Sequence, residues 1–140
     1  MPELSWLAQL EMGLRLVMAA AFGGIIGWER EKAHKPAGLR THMLISIGSA
    51  LFTIVSIHGF TGGDTSRVAA GVVTGIGFLG AGAILHHGRS VEGLTTAASI
   101  WSVAAIGLAV GVGMYLLALL TAIIVFLVLF LHSHPWPPKA

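Results

Sequence analysis

The side chains that could do chemistry in these 140 residues are few: six acids, eight lysines and arginines, seven histidines and no cysteine. Glu29 and Asp64 are the candidate cation ligands, because hard divalent ions such as Mg2+ take carboxylate oxygens. With Glu92 they fall on different loops, so no acidic cluster is evident. His86, His87, His132 and His134 could offer imidazoles to a transition metal, or could bridge apolar and wet regions at a membrane boundary. His42, Ser46, Ser49, Thr53 and Ser56 recur at intervals of four and three residues, which aligns them on one helix face. Thr95, Ser99 and Ser102 form a second such face. These faces could line a polar route, but small hydroxyl residues more often join helices or bond back to their own carbonyls. No GxSxG elbow or HExxH pair occurs, so neither an enzyme nor a resident cofactor is expected.

Only 10% of the residues are charged and 55% are hydrophobic, against roughly 25% charged in a soluble domain. No residue from Val68 to Gly88, or from Gly93 to Pro138, carries a formal charge. A membrane-crossing helix needs about 20 predominantly apolar residues. The pattern excludes a disordered chain, a nucleic-acid binder and nearly every soluble enzyme class. It predicts an all-α polytopic membrane protein of about five transmembrane helices in a glycine-rich bundle. The expected spans are Leu7–Trp28, Leu39–Ile57, Val68–His86, Leu94–Val110 and Met114–Leu131, with Gly111, Val112 and Gly113 as a tight reversal. Residues 1–134 form the expected transmembrane domain and 135–140 a short tail, with no signal peptide and no soluble C-terminal domain.

Arg30, Lys32, Lys35 and Arg40 fall in the first loop, Arg89 in the third and Lys139 in the tail, which predicts an outside N-terminus and a cytoplasmic C-terminus. Arg15 and Glu29 are separated by about 21 Å of helix rise, less than the roughly 30 Å hydrocarbon thickness. One of them must therefore snorkel or find a partner, and Glu11, one turn before Arg15, is in reach. Glu29 ends its helix, where the dipole disfavours an anion; Arg30, Lys32 or Arg40 should compensate it. Asp64 is a candidate cap for the third helix, and Arg67 in that helix's first turn requires an acid partner, Asp64 or one from another helix. Thr95 or Thr96 could cap the fourth. Gly23 and Gly27, and Gly71, Gly75 and Gly82 on one face, are predicted packing positions of small-xxx-small type. The density of glycine from Gly75 to Gly82 also fits a helix unwound around a binding site, a reading ranked below packing.

The run Gly23-Gly24-Ile25-Ile26-Gly27-Trp28-Glu29-Arg30-Glu31 with Ala37-Gly38-Leu39-Arg40-Thr41-His42 resembles the first signature of the MgtC/SapB family of bacterial membrane proteins. Asp64-Thr65-Ser66-Arg67, the Gly75 to Gly82 run, and Gly93-Leu94-Thr95-Thr96-Ala97-Ala98 with Trp101 resemble its second. The resemblance implies a bacterial inner-membrane protein linked to growth in low magnesium, survival of pathogens in macrophages, or acid tolerance. Members were first described as Mg2+ transporters, and later as regulators of other membrane proteins, including the F-type ATP synthase. It also implies that Glu29, Arg30, Arg40, Thr41, His42, Asp64, Arg67, Thr95 and Thr96 are the characteristic polar positions. The small cytoplasmic domain of many members has no counterpart in this sequence. A regulator acting through helix–helix contacts, assembled as a homodimer in the bilayer, is the expected function. A Mg2+ or other cation carrier is the alternative.

Overall fold

A computed structural model describes residues 3–133. The tail expected at 135–140, and His134, lie outside the described residues, as do the side chains of His86, His87 and His132, so the expected histidine metal site does too. The elements are α1 (Trp6–Lys32), α2 (Leu39–Gly59), α3 (Ser66–Gly82), β1 (Leu85–His87), β2 (Ser90–Glu92), α4 (Leu94–Val112) and α5 (Tyr115–Ser133).

Helix α1 opens on the Ser5 side chain, which accepts a bond from the Ala8 amide. It closes in a Schellman turn: the His34 amide bonds the Glu31 carbonyl at 3.0 Å and the Lys35 amide bonds the Arg30 carbonyl at 3.0 Å. His34 takes the left-handed conformation there, φ 55°. This reversal sets α2 antiparallel against α1. At the far end of α4, Gly113 turns the chain at φ 91° into α5, as the glycine-flanked reversal predicted.

Helix α2 is the centre of the molecule, with its broadest contacts to α1 on one side and α4 on the other. Both neighbours meet it through glycine. A methyl group at Gly23 would come within 2.6 Å of the His42 carbonyl oxygen, and one at Gly27 within 2.8 Å of Leu39 Cα. On the opposite side, one at Gly107 would press on the Ser46 backbone, and one at Gly111 would come within 2.8 Å of the Ala50 carbonyl oxygen. The apolar core around this seam is built from small and branched residues, Ala19, Ile26, Ala50, Val103, Ile106, Val110, Ala118 and Ala122 among them. Helix α3 packs mainly on α4 and only lightly on α2.

The expectation of five transmembrane helices is corrected. Among the described residues, three helices are long and apolar enough to cross a membrane: α1, α2 and α4. Helix α3 has 17 residues, a rise of about 26 Å that falls short of the roughly 30 Å hydrocarbon core. It was expected to run to His86, but the chain leaves the helix after Gly82 and pleats into the β1–β2 hairpin, pairing Leu85 with Glu92 and His87 with Ser90. The apolar stretch Tyr115–Leu131 of α5 is likewise shorter than a full span. The outward surface is apolar nevertheless: Phe78 is 81% exposed and Leu131 74%, an environment suited to lipid and not to water.

The seam makes a direct prediction. Overpacking a filled contact costs about 1–3 kcal/mol, so Gly23→Ala and Gly107→Ala should each lower the thermal unfolding midpoint of the detergent-purified protein. Gly77→Ala, where nothing lies within 4 Å of an added methyl, should leave it unchanged.

Candidate functional site

The α1–α2–α4 seam carries a buried polar cluster at the end of the bundle where α1 finishes and α2 and α4 begin. Glu29 and Arg30, in the last turns of α1, are 3% and 1% exposed. They bind one another side by side: Arg30 Nε donates to Glu29 Oε2 at 2.7 Å and Nη2 donates to Oε1 at 3.3 Å. The cation that Glu29 required is thus its own neighbour, not Lys32 or Arg40. Arg30 Nη1 is buried and has no hydrogen-bond partner.

His42, from the first turn of α2, is fully buried. Its Nδ1 stands 2.9 Å from the Gly38 carbonyl oxygen and its Nε2 2.9 Å from Ser99 Oγ on α4. A carbonyl only accepts, so Nδ1 carries the proton. Ser99 Oγ is also 2.7 Å from the Thr96 carbonyl oxygen. Its single hydrogen lies between the Thr96 carbonyl oxygen and His42 Nε2, which in a neutral ring protonated at Nδ1 can only accept. The Glu29–Arg30 pair is within electrostatic reach of the ring. Gly27, directly below, is what lets the α1 backbone approach closely enough to cover it.

The rest of the α2 stripe is consumed by the fold. Ser49 donates to the Ala104 carbonyl at 2.6 Å, Thr53 to the Ser49 carbonyl at 2.8 Å, and Ser56 to the Thr65 carbonyl at 3.3 Å. Ser46 Oγ, at the tightest point between Gly23 and Gly107, is buried without a partner. The stripe therefore joins helices, the commoner of the two readings.

At the opposite end Arg15 performs a related task. Its Nη2 meets Glu11 at 2.7 Å, the predicted partner, and its Nη1 donates to the Gly111 carbonyl at 2.8 Å. A cation on the last carbonyls of α4 suits that helix dipole. Tyr115 closes the group, its ring 5.7 Å from the guanidinium carbon. This carbonyl-capping role for Arg15 carried no sequence signal beyond the charge itself.

Several expected residues are not brought into the cluster. Arg40, Thr41 and Thr95 are exposed, whereas Thr96 is buried and contributes its carbonyl. Neither threonine caps α4; Gly93 does so by position, in the left-handed region at φ 87°, with no room for a side chain against the Ala83 carbonyl. Asp64 is not the cap residue of α3, which is Thr65, but accepts from the Ser66 amide at 2.9 Å and the Ser66 hydroxyl at 2.7 Å. The Arg67 amide donates to the Asp64 carbonyl at 3.2 Å, but its side chain is exposed and makes no ion pair among the described residues. Glu29 and Asp64 lie at opposite ends of the bundle, and among the described residues no group of three or more His, Asp or Glu could hold a metal. Of the glycines expected to pack, Gly23 and Gly27 do so, while Gly71, Gly75 and Gly82 have nothing within 4 Å of an added methyl. The open face of α3 borders a groove of about 790 Å³ against α2, lined by Leu44, Gly48, Phe52, Arg67, Gly71, Gly75 and Leu79. Gly107 and Gly111, which do pack, were hidden in an apolar run.

Breaking a buried ion pair by neutralising one member costs about 3–5 kcal/mol, while replacing both members can be nearly neutral. Glu29→Gln should therefore lower the unfolding midpoint strongly, and Glu29→Gln combined with Arg30→Met should recover most of the loss. At Asp64 the Ser66 hydroxyl, and then the Ser66 amide, hold the carboxyl below its ordinary range. A depressed carboxyl stabilises fully above its unfolded value and loses that contribution as pH falls through the folded one. Amide protection factors at the start of α3, taken relative to the intrinsic exchange rate at each pH, should accordingly fall below about pH 4, and Asp64→Asn should remove that fall.

The chain matches the model of the MgtC family over residues 16–134. It is 52% identical over 127 residues to "Putative magnesium transporter YhiD" of Escherichia coli K12, covering 85% of this chain and 59% of that protein. It is 50% identical over 101 residues to "Protein MgtC" of Brucella abortus strain 2308, covering 69% of this chain and 42% of that protein. With "Protein SrpB" of Synechococcus elongatus the identity is 41% over 136 residues, covering 86% and 72%. The chain spans about half the length of the first curated relatives it matches. No solved structure matches. Because the match takes in the Glu29–Arg30 pair, the glycine seam and the whole of α2 to α4, the chain belongs to the MgtC family.

Proposed function

We propose that this chain is a non-catalytic regulator in the bacterial inner membrane, tied to magnesium limitation, which acts by taking a transmembrane helix of another membrane protein or of a second copy into the groove between α2 and α3. The observation that carries this reading is the contrast between two sets of glycines. Gly23 and Gly27 of α1 and Gly107 and Gly111 of α4 are filled by α2, while Gly71 and Gly75 border an open groove with nothing within 4 Å of an added methyl. In lipid the hydrophobic effect does not drive helices together, and close backbone approach through small residues is what favours association. A helix entering this groove would gain that approach. The F-type ATP synthase is one candidate partner and a homodimer another. Arg30, Lys32, Lys35, Arg40 and Arg89 gather at the Glu29 end, which supports a cytoplasmic placement of that end.

The name of the Escherichia coli relative and the buried carboxylate of Glu29 favour a second reading, a cation carrier. Flux and association measurements separate the two. Under the regulatory reading, the chain in liposomes passes no Mg2+ or protons. Gly71→Leu and Gly75→Leu fold normally but lose both the co-purifying ATP synthase subunits or second copy and growth support in low magnesium. Mg2+ or proton flux abolished by Asp64→Asn, in a protein that remains folded, would sink this reading in favour of the carrier.

A further inference from the structure

The face of α3 that opens on the groove has a four-residue repeat. Val68, Gly71, Val72, Gly75, Ile76 and Leu79 all line the groove, and Arg67 joins them in the first turn of the helix. Gly71 and Gly75, with nothing within 4 Å of an added methyl, have the GxxxG spacing at which two helices in lipid meet backbone to backbone. We propose that the occupant of the groove is α3 of a second copy, in a parallel pair related by a two-fold axis, with each Arg67 bonded to Asp64 of the other chain. This rests on the assignment of the groove to a helix, made above, and names that helix.

The charges at the start of α3 select a second copy over a foreign helix. Copies inserted in one membrane share an orientation, so their two-fold axis runs along the bilayer normal and sets the two α3 helices parallel. Their first turns then lie side by side. Two Arg67 guanidinium groups brought together would repel unless an acid came with them, and the chain supplies one. Asp64, three residues earlier, uses a single carboxylate oxygen within its own chain: the Ser66 amide and the Ser66 hydroxyl both donate to Oδ1, at 2.9 and 2.7 Å. Oδ2 accepts no hydrogen bond among the described residues. The Arg67 side chain makes no ion pair among them either. Glu11 and Arg15, at the same end of the bundle, are committed to each other at 2.7 Å. An open cation and an open carboxylate oxygen at the end of one small-residue face are complementary to a copy of themselves. An isologous interface requires that self-complementarity, whereas a foreign helix bearing one charge would answer one sign and leave the other.

The chain has no cysteine, so single cysteines read the contact directly in native membranes. On oxidation, Val68→Cys and Val72→Cys, which line the groove, should run as covalent dimers. Ala70→Cys and Val73→Cys, on the same helix but outside the groove lining, should stay monomeric. In the Val72→Cys chain, Arg67→Asp and Asp64→Arg should each lower the dimer about tenfold or more, because like charges juxtaposed across an interface are strongly disfavoured. Co-expressing the two charge variants restores opposite signs at both contacts, and the dimer should return between unlike copies. Three results would overturn the self-pairing: equal cross-linking at all four cysteines, an unchanged dimer in both charge variants, or no recovery on co-expression when each variant keeps the wild-type unfolding midpoint. A chain that stays monomeric at all four cysteines, while Gly71→Leu still releases a different membrane protein, would also overturn it and would leave the regulatory reading standing. Cation flux together with the expected cross-links would do the reverse.

Discussion

Everything in this molecule depends on how closely α2 is approached from both sides. Gly23 and Gly27 of α1, and Gly107 and Gly111 of α4, remove side chains where the helices meet and leave backbone against backbone. In water such a seam would be reinforced by expelling solvent from apolar surface. In lipid that term is absent between helices, and van der Waals contact with weak Cα–H···O bonds must suffice. Contact of that kind falls away within a fraction of an ångström. The glycines are therefore the condition for a stable three-helix unit and not an incidental consequence of composition.

Close approach also dictates what happens to the polar groups. Once α1 lies on α2 at Gly27, His42 is sealed from lipid and water alike and must be satisfied inside the chain. The Gly38 carbonyl and the Ser99 hydroxyl do so from two different elements. Ser49 reaches across to Ala104 by the same logic. Burial of Glu29 and Arg30 beside this seam is tolerable because each is the other's counter-ion, and such a pair fixes geometry more than it adds stability. At the other end, Arg15 bonded to the Gly111 carbonyl pins the end of α4 against α1, next to the last glycine contact. Arg15 thus ties α1 to α4 at one end, the His42–Ser99 bond ties α2 to α4 at the other, and glycine sets the approach of all three along their length.

Much of this was legible in the sequence, because lipid imposes strong rules. Apolar stretches and the charged or glycine-rich breaks between them located every helix, and the three that meet the length of a bilayer were among them. The spacing of His42, Ser46, Ser49 and Thr53 gave the inward face of α2, since a hydroxyl stripe has no favourable place against lipid. Gly23 and Gly27 stood out because they precede a charge that has to be buried. Gly107 and Gly111 did not, since in Ile106–Gly113 nothing polar marks which side of the helix is inward. The end of α3 was misjudged for a related reason: Ile84, Leu85 and the histidines are uncharged, and hydropathy alone cannot tell a short hairpin from a last helical turn. Arg67 was expected to hold Asp64 or a carboxylate from another helix, but the Ser66 amide and hydroxyl take the Asp64 carboxylate.

Helix α3 is where these rules are left open. It carries Gly71, Gly75, Gly77, Gly80 and Gly82 in 17 residues, and each glycine in a helix interior costs up to about 1 kcal/mol relative to alanine in water. In α1 and α4 that cost is offset by contacts no larger residue would permit. In α3 only Gly80 has such a neighbour, Ala97 of α4, at ordinary van der Waals distance. The other four give up helix stability and packing area with nothing among the described residues within 4 Å of an added methyl to balance them. Backbone bonding within the helix keeps α3 helical, because an unpaired amide in an apolar setting is more costly than glycine. The helix is thereby held straight and bare along a face suited to close contact. The seam at the centre of the bundle shows what the α3 glycines lack: a helix backbone lying against them, as α2 lies against Gly23 and Gly107.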